Sequence, residues 1–141
     1  MKRLCTICAR GGSKGVPNKN IRQMAGKPLI AHSILQAQSS GLFEAIAVSS
    51  DSIKILDISK NFGADYSIFR PKELASDLAP KLPAIQHCVN EVETLSGEKF
   101  DVIVDLDATS PLRITKDIEG AVKLLEDKNV SNVITGCPAR R

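Results

Sequence analysis

At 141 residues, 43% hydrophobic and 25% charged, with no low-complexity run, the chain has the make-up of one globular domain with a substantial buried core. No apolar stretch approaches the roughly 20 residues of a membrane helix, and the short run after Met1 stops at Arg10, so it reads as a strand rather than a leader; no membrane association and a cytoplasmic location are expected. The net charge of +3 hides an asymmetry, because seven Lys or Arg and no acid precede Glu44, whereas the remainder carries 12 basic and 16 acidic residues.

Strand and helix patterns alternate along the chain. "RLCTICA" (3–9) is a continuous apolar run of the kind found in parallel strands covered on both faces. Cys5 and Cys8 have CxxC spacing, but on a strand positions i and i+3 point to opposite faces, so buried reduced thiols are expected rather than a redox or zinc pair. Cys88 and Cys137 are isolated.

A glycine-rich loop follows, and then "KPLIAHSILQAQSS", which opens on Pro28, repeats Ile30, Ile34 and Ala37 at helical spacing and closes at Gly41. "EAIAVSS" (44–50) predicts a second strand, and Asp51 is placed to cap a helix over "SIKILDISKNF" that stops at Gly63. "DYSIF" (65–69) predicts a third strand, leading into the loop "RPKELASDLAPK" and a helix over about 83–95. "FDVIVDLD" (100–107) predicts a fourth strand. Thr115 can cap a helix carrying Ile118, Ala121, Val122 and Leu125 on one face, with Glu119 and Lys123 paired across a turn, and "VSNVITG" (130–136) predicts a fifth strand. His32 and His87 fall within helical segments and read as packing or surface residues.

This alternation argues for an α/β fold, an open and mostly parallel sheet with helices on both faces. Such sheets bind ligands beyond the carboxyl ends of their strands, where the strand order switches. The loops at those ends, 10–20, 70–81 and 107–113, are the ones richest in Arg, Lys, Ser, Thr and Pro.

The first loop, "CARGGSKGVPNKNI", sets Gly11, Gly12 and Gly15 among Arg10, Lys14 and Lys19. Glycines there allow backbone conformations closed to other residues, and successive N–H groups can form a concave nest for phosphate oxygens. Arg10 adds a bidentate fork, Lys14 and Lys19 mobile point charges. Cations gathered around such a turn suit a polyphosphate better than a nucleic acid, although a solvated turn would share the composition. Neither the phosphate-loop pattern, in which Gly and four residues precede Gly-Lys-Ser/Thr, nor GxGxxG is present.

"ARGGSKGVPNKNI", followed in order by "GKPLIAHSI", "VSSD", "RPKELASD" and "ATSPLR", resembles the signature of the sugar-acid cytidylyltransferases, especially the acylneuraminate cytidylyltransferases. The resemblance covers almost the whole chain. It implies a Rossmann-like nucleotidyltransferase sheet and an Mg²⁺-dependent enzyme (Mn²⁺ as the substitute ion) that transfers CMP from CTP to a nonulosonic, sialic-type sugar acid. By the same resemblance Arg10, Lys14 and Lys19 serve catalysis at the triphosphate, and Gly11, Gly12, Ser13 and Asn20 join Arg10 in holding the nucleotide. Arg70, Ala79 and Lys81 fall where the family surrounds the cytosine and ribose, and Lys81 departs from the Ser common there. Asp107 replaces the usual Gln and becomes a candidate for substrate or metal contact, with pairing to Lys81 or Arg113 as its structural alternative. For Arg70 that alternative is pairing with Glu73 or Asp77, and Thr109, Ser110 and Pro111 equally suit a purely structural turn. Family members continue further, so residues 1–141 are expected to be a nucleotide-binding core, with metal carboxylates, sugar-acid contacts and a dimerisation arm beyond Arg141. Two other readings stay open. Asp105-Leu106-Asp107 resembles the metal-binding Asp-x-Asp of related sugar nucleotidyltransferases or glycosyltransferases, and the early end of the chain suits a non-catalytic nucleotide-binding module.

Overall fold

The computed structural model describes residues 1–139. Its elements in chain order are β1 (Arg3–Cys8), β2 (Gln23–Met24), β3 (Lys27–Pro28), α1 (Leu29–Ser40), β4 (Ala45–Ser50), α2 (Ile53–Asn61), β5 (Tyr66–Phe69), α3 (Lys81–Ser96), β6 (Val102–Asp105) and α4 (Thr115–Lys128). Four strands form one parallel sheet in the order β5-β4-β1-β6. The chain leaves β1 towards β4 and β5, then crosses to the other side of β1 to lay down β6. The order therefore reverses at β1, and a crevice opens beyond its carboxyl end.

The β1 pattern explains the layers. Cys5 and Ile7 point into a cluster with Ile30, Ile34, Ile55 and Ile118, under α1, α2 and α4. Leu4 points the other way, into a second cluster with Ala47, Ile68, Cys88 and Val92 under α3. Helices thus cover both faces, as the alternation predicts. Each fully buried Ile or Leu contributes roughly 1.5–3 kcal/mol, so this two-sided burial dominates the fold's stability. All four cysteines are free; Cys5 and Cys88 are buried, Cys8 is half-buried and Cys137 exposed.

Several local expectations change. Before α1 the chain forms a small antiparallel hairpin, β2 with β3, turned through Ala25 at φ 49° and Gly26 at φ 81°. Two positive-φ residues are what a tight two-residue hairpin turn requires. Pro28 then precedes α1, and Gly41 at φ 64° ends it. The cap of α2 is Ser52, whose Oγ accepts from the Ile55 N–H at 3.4 Å; Asp51 is drawn away to the first loop. Thr115 begins α4 rather than capping it, and Asp117 Oδ2 accepts from the Ile114 N–H at 2.9 Å. Lys123 pairs forward with Asp127, not back with Glu119.

The fifth strand does not form: residues 130–136 are irregular and Ile134 is 86% exposed. β-Branched residues make a strand only where a neighbouring edge supplies hydrogen bonds and a layer covers one face. Among the described residues, segment 130–136 has neither. No helix of the described residues is long and apolar enough to cross a membrane.

Candidate functional site

The three loops expected at the carboxyl ends of the strands do meet there. One cavity, of about 130 Å³, lies between the loops after β1 and β6 and is lined by Arg10, Ser13, Lys19, Asn20, Asp107 and Thr109, among others. A second, of about 280 Å³, adjoins it and is lined by residues that include Arg10, Arg70, Asp77, Ala79 and Lys81. Cys8, Arg10 and Asp107 line both. Seven of the residues singled out from the sequence, Arg10, Ser13, Lys19, Asn20, Arg70, Ala79 and Lys81, therefore gather around one crevice with Asp107. Gly11, Gly12 and Lys14 line neither cavity.

The first loop is held by polar contacts, not by left-handed glycines. None of Gly11, Gly12 and Gly15 has a positive φ, contrary to expectation. Gly11 is needed for a close approach: a Cβ there would sit 3.0 Å from the Ser52 Cβ. Its N–H donates to Asp51 Oδ1 at 2.8 Å, and the Ser13 N–H donates to the Gly11 carbonyl at 3.2 Å. Two N–H groups expected to face phosphate are thus already engaged. Asn20, buried in the middle of a 3-10 turn (Lys19–Ile21), donates from Nδ2 to the Arg10 carbonyl at 3.0 Å and so fixes the backbone from which the guanidinium extends.

Asp77 is the residue that the sequence reading missed as a partner of this loop. From the loop after β5 its Oδ1 accepts from Arg10 and its Oδ2 lies 2.7 Å from Lys14 Nζ. The Lys14 hydrogen bond first, and Arg10 second, hold the Asp77 carboxyl below the ordinary aspartate range against the opposing effect of desolvation. The acid-free surroundings of the loop in sequence are therefore not acid-free in space.

Arg70 is 5% exposed and finds no carboxylate among the described residues; neither Glu73 nor Asp77 pairs with it. Its Nε donates to Ser49 Oγ at 3.1 Å, and Nη2 to the Ser49 carbonyl at 2.9 Å. A third, longer bond runs from Nη1 to the Leu74 carbonyl at 3.4 Å. Neutral acceptors satisfy these donors without cancelling the charge, so the guanidinium lends positive potential to the second cavity.

Lys81, the first residue of α3, reaches between two carboxylates. Its Nζ is 2.6 Å from Asp105 Oδ2 and also pairs with Asp107 Oδ1. Burial would lower its pKa, but the hydrogen bonds from Asp105 and Asp107 prevail and raise it above the ordinary lysine value. Asp105 is further held by Thr6 Oγ1, which donates at 2.9 Å. The Asp107 carbonyl accepts from Ser33 Oγ at 3.1 Å and from Arg113 Nη2 at 2.9 Å, tying the last loop to α1. Arg113 thus meets the backbone of Asp107, and the carboxylate belongs to Lys81.

This donor set does not fit a divalent ion as it stands. Mg²⁺ takes one or two carboxylates plus water and phosphate oxygens, but here an ammonium group occupies the space between the two acids. Among the described residues no three metal-ligating side chains converge. The metal carboxylates expected beyond Arg141 lie outside the described residues. Cys8, though it lines both cavities, is a poor nucleophile, because burial, reinforced by Asp105, pushes its thiol up to about 11.

Comparison with known proteins follows the same lines. CMP-N,N'-diacetyllegionaminic acid synthase of Campylobacter jejuni is 45% identical over 138 residues, 98% of this chain and 59% of that protein. Pseudaminic acid cytidylyltransferase of the same species is 43% identical over 112 residues, 79% of this chain and 48% of its own length. The chain therefore spans about half to three-fifths of these relatives, and neither carries an N-acylneuraminate name. The solved structure of CMP:2-keto-3-deoxy-manno-octonic acid synthetase with CTP superposes with a TM-score of 0.73 at 22% identity, over 92% of this chain and 49% of that one, a likeness of fold. A family model described as Cytidylyltransferase matches residues 4–138, which is nearly the whole chain. With that match and these relatives behind the crevice geometry, the chain belongs to the cytidylyltransferase family.

Proposed function

We propose that this chain is the nucleotide-binding core of an enzyme that transfers CMP from CTP to a nonulosonic sugar acid and releases pyrophosphate. One observation carries the reading: two adjoining cavities share Arg10, one lined with Lys19, Ser13 and Asn20, the other with Arg70, Ala79 and Lys81. In this reading the first takes the triphosphate and the second the pyrimidine nucleoside, with Arg10 at the α-phosphate between them. The names of the relatives favour a legionaminic or pseudaminic acid over N-acylneuraminate.

In that reaction the anomeric hydroxyl of the sugar acid attacks the α-phosphorus. A new O–P bond forms, the bond to the β-phosphate oxygen breaks, and the hydroxyl proton passes to solvent. Little covalent work falls to the protein, so holding the groups in line and neutralising the charge dominate. Arg10, Lys14 and Lys19 supply that charge from a loop already anchored through Asn20 and Asp51. Mg²⁺, or Mn²⁺ in its place, is brought in by the family resemblance and would neutralise phosphate charge. The same resemblance carries the homodimer.

Calorimetric titration with CTP, UTP and ATP tests the nucleotide. CTP is expected to bind at least tenfold tighter than the other two, and equal affinities would overturn the reading. Pyrophosphate release with a panel of legionaminic, pseudaminic and N-acylneuraminic acids then tests the acceptor. If a protein that carries this core together with the sugar-acid contacts expected beyond Arg141 binds CTP but consumes no sugar acid, the non-catalytic module is the better description.

A further inference from the structure

Asp77 lines the second cavity but is given no role in the reading above, yet it occupies the cations that reading needs. Each of its carboxylate oxygens takes one of them, Oδ1 the Arg10 guanidinium and Oδ2 the Lys14 ammonium at 2.7 Å. Two oxygens bridging two cations is the arrangement a phosphate group would adopt there. The residue is carried across the crevice on the loop after β5, within a turn closed by the Ala79 N–H on the Ser76 carbonyl at 3.2 Å. Its side chain is 35% exposed and that of Lys14 83%, so the bridge is open to solvent and to an incoming ligand.

We infer that Asp77 is a displaceable internal anion: it closes the empty loop by standing in for a phosphate and yields Arg10 and Lys14 when a polyphosphate arrives. The inference rests on the reading of this loop as the triphosphate site. Partly exposed ion pairs are individually weak, so the bridge is easily broken. A polyphosphate that also reaches Lys19 replaces one negative charge by several and wins the exchange. The cost of displacing Asp77 is subtracted from the affinity of every ligand that uses Arg10 and Lys14. Ligands that do not use them escape it. After transfer the same carboxylate re-forms its pairs as pyrophosphate leaves, which makes Asp77 a positioning residue for product release.

Asp77→Asn is the test, because it removes the charge while keeping a side chain at home in turns. Inorganic tripolyphosphate, CTP and cytidine are titrated calorimetrically into both forms at one ionic strength. Tripolyphosphate and CTP are expected to bind about three- to tenfold tighter to the variant, and cytidine, whose cavity Asp77 also lines, to gain less than tripolyphosphate does. Unchanged or weakened tripolyphosphate binding would overturn the inference, and so would an equal gain for cytidine, which lacks the phosphates. The wild-type chain gives an independent readout: the Asp77 carboxyl carbon resonance should shift on adding tripolyphosphate, and a static resonance during binding refutes displacement. If CTP binds the wild type and Asp77→Asn changes nothing, this inference fails alone. If the variant gains tripolyphosphate affinity but neither form prefers CTP to UTP, displacement stands and the cytidylyl reading falls.

Discussion

Replacing Lys81 by methionine keeps the stem that packs at the start of α3 and removes the charge between Asp105 and Asp107. Both ion pairs go, one of them to a carboxylate whose side chain is only 18% exposed. The ammonium side chain is itself 43% exposed, so each pair is discounted for solvent screening to about 0.2–1 kcal/mol. The two carboxylate oxygens, within about 5 Å of each other because both touch the same ammonium, then repel by about 0.8 kcal/mol at water-like screening. The sum is about 1–3 kcal/mol, or roughly 4–10 °C in Tm for a domain of this size. Because the folded-state pKa of Lys81 is raised above 10.5, its contribution is complete below that pH and is lost only as pH climbs through the raised value. The gap between wild type and Lys81→Met should accordingly be flat from pH 6 to 9. Thermal melts in low salt and in 1 M NaCl, with Asp107→Asn as a second background, provide the assay. The loss should shrink in both the salt and the Asp107→Asn background. A loss undiminished in either would mean that Lys81 acts through packing, and the charge argument would be wrong.

Three further outcomes are expected. Arg10→Ala should lower kcat/KM for CTP by roughly 10- to 150-fold, since a charged hydrogen bond is worth about 1.5–3 kcal/mol; steady-state kinetics close to wild type would remove Arg10 from the triphosphate. Where Mg²⁺ supports turnover, Asp107→Asn should leave the half-saturating Mg²⁺ concentration within about twofold, because that carboxylate is committed to Lys81; a several-fold rise in a magnesium titration would place Asp107 on the metal instead. At pH 8 iodoacetamide should alkylate the exposed Cys137 at least about tenfold faster than Cys8, whose thiol burial holds up to about 11, while Cys5 and Cys88 react only on unfolding. Peptide mass spectrometry over a time course reads this, and early labelling of Cys8 would contradict its burial.

Much of the architecture was legible in the residues themselves. Apolar runs such as "RLCTICA" and helical repeats such as Ile30, Ile34 and Ala37 report burial through local periodicity, which needs no partner to be seen. The order of the strands, with its reversal at β1, then places the basic loop and the loop after β6 on one crevice, as the general rule for such sheets requires. Segment 130–136 carries the same strand-like residues and forms none, because a strand depends on a neighbouring edge that no local pattern contains. The polar contacts of the site were equally hidden. Asp51 looked like a helix cap and became the acceptor for Gly11, 40 residues away. Asp77, 67 residues from Arg10, was weighed only as a neighbour of Arg70. Sequence spacing sets which side chains share a face of one element. Which charge answers another across a crevice is decided only when separate loops are brought within hydrogen-bond reach, and hydrogen bonds act over about 3 Å whatever the separation along the chain.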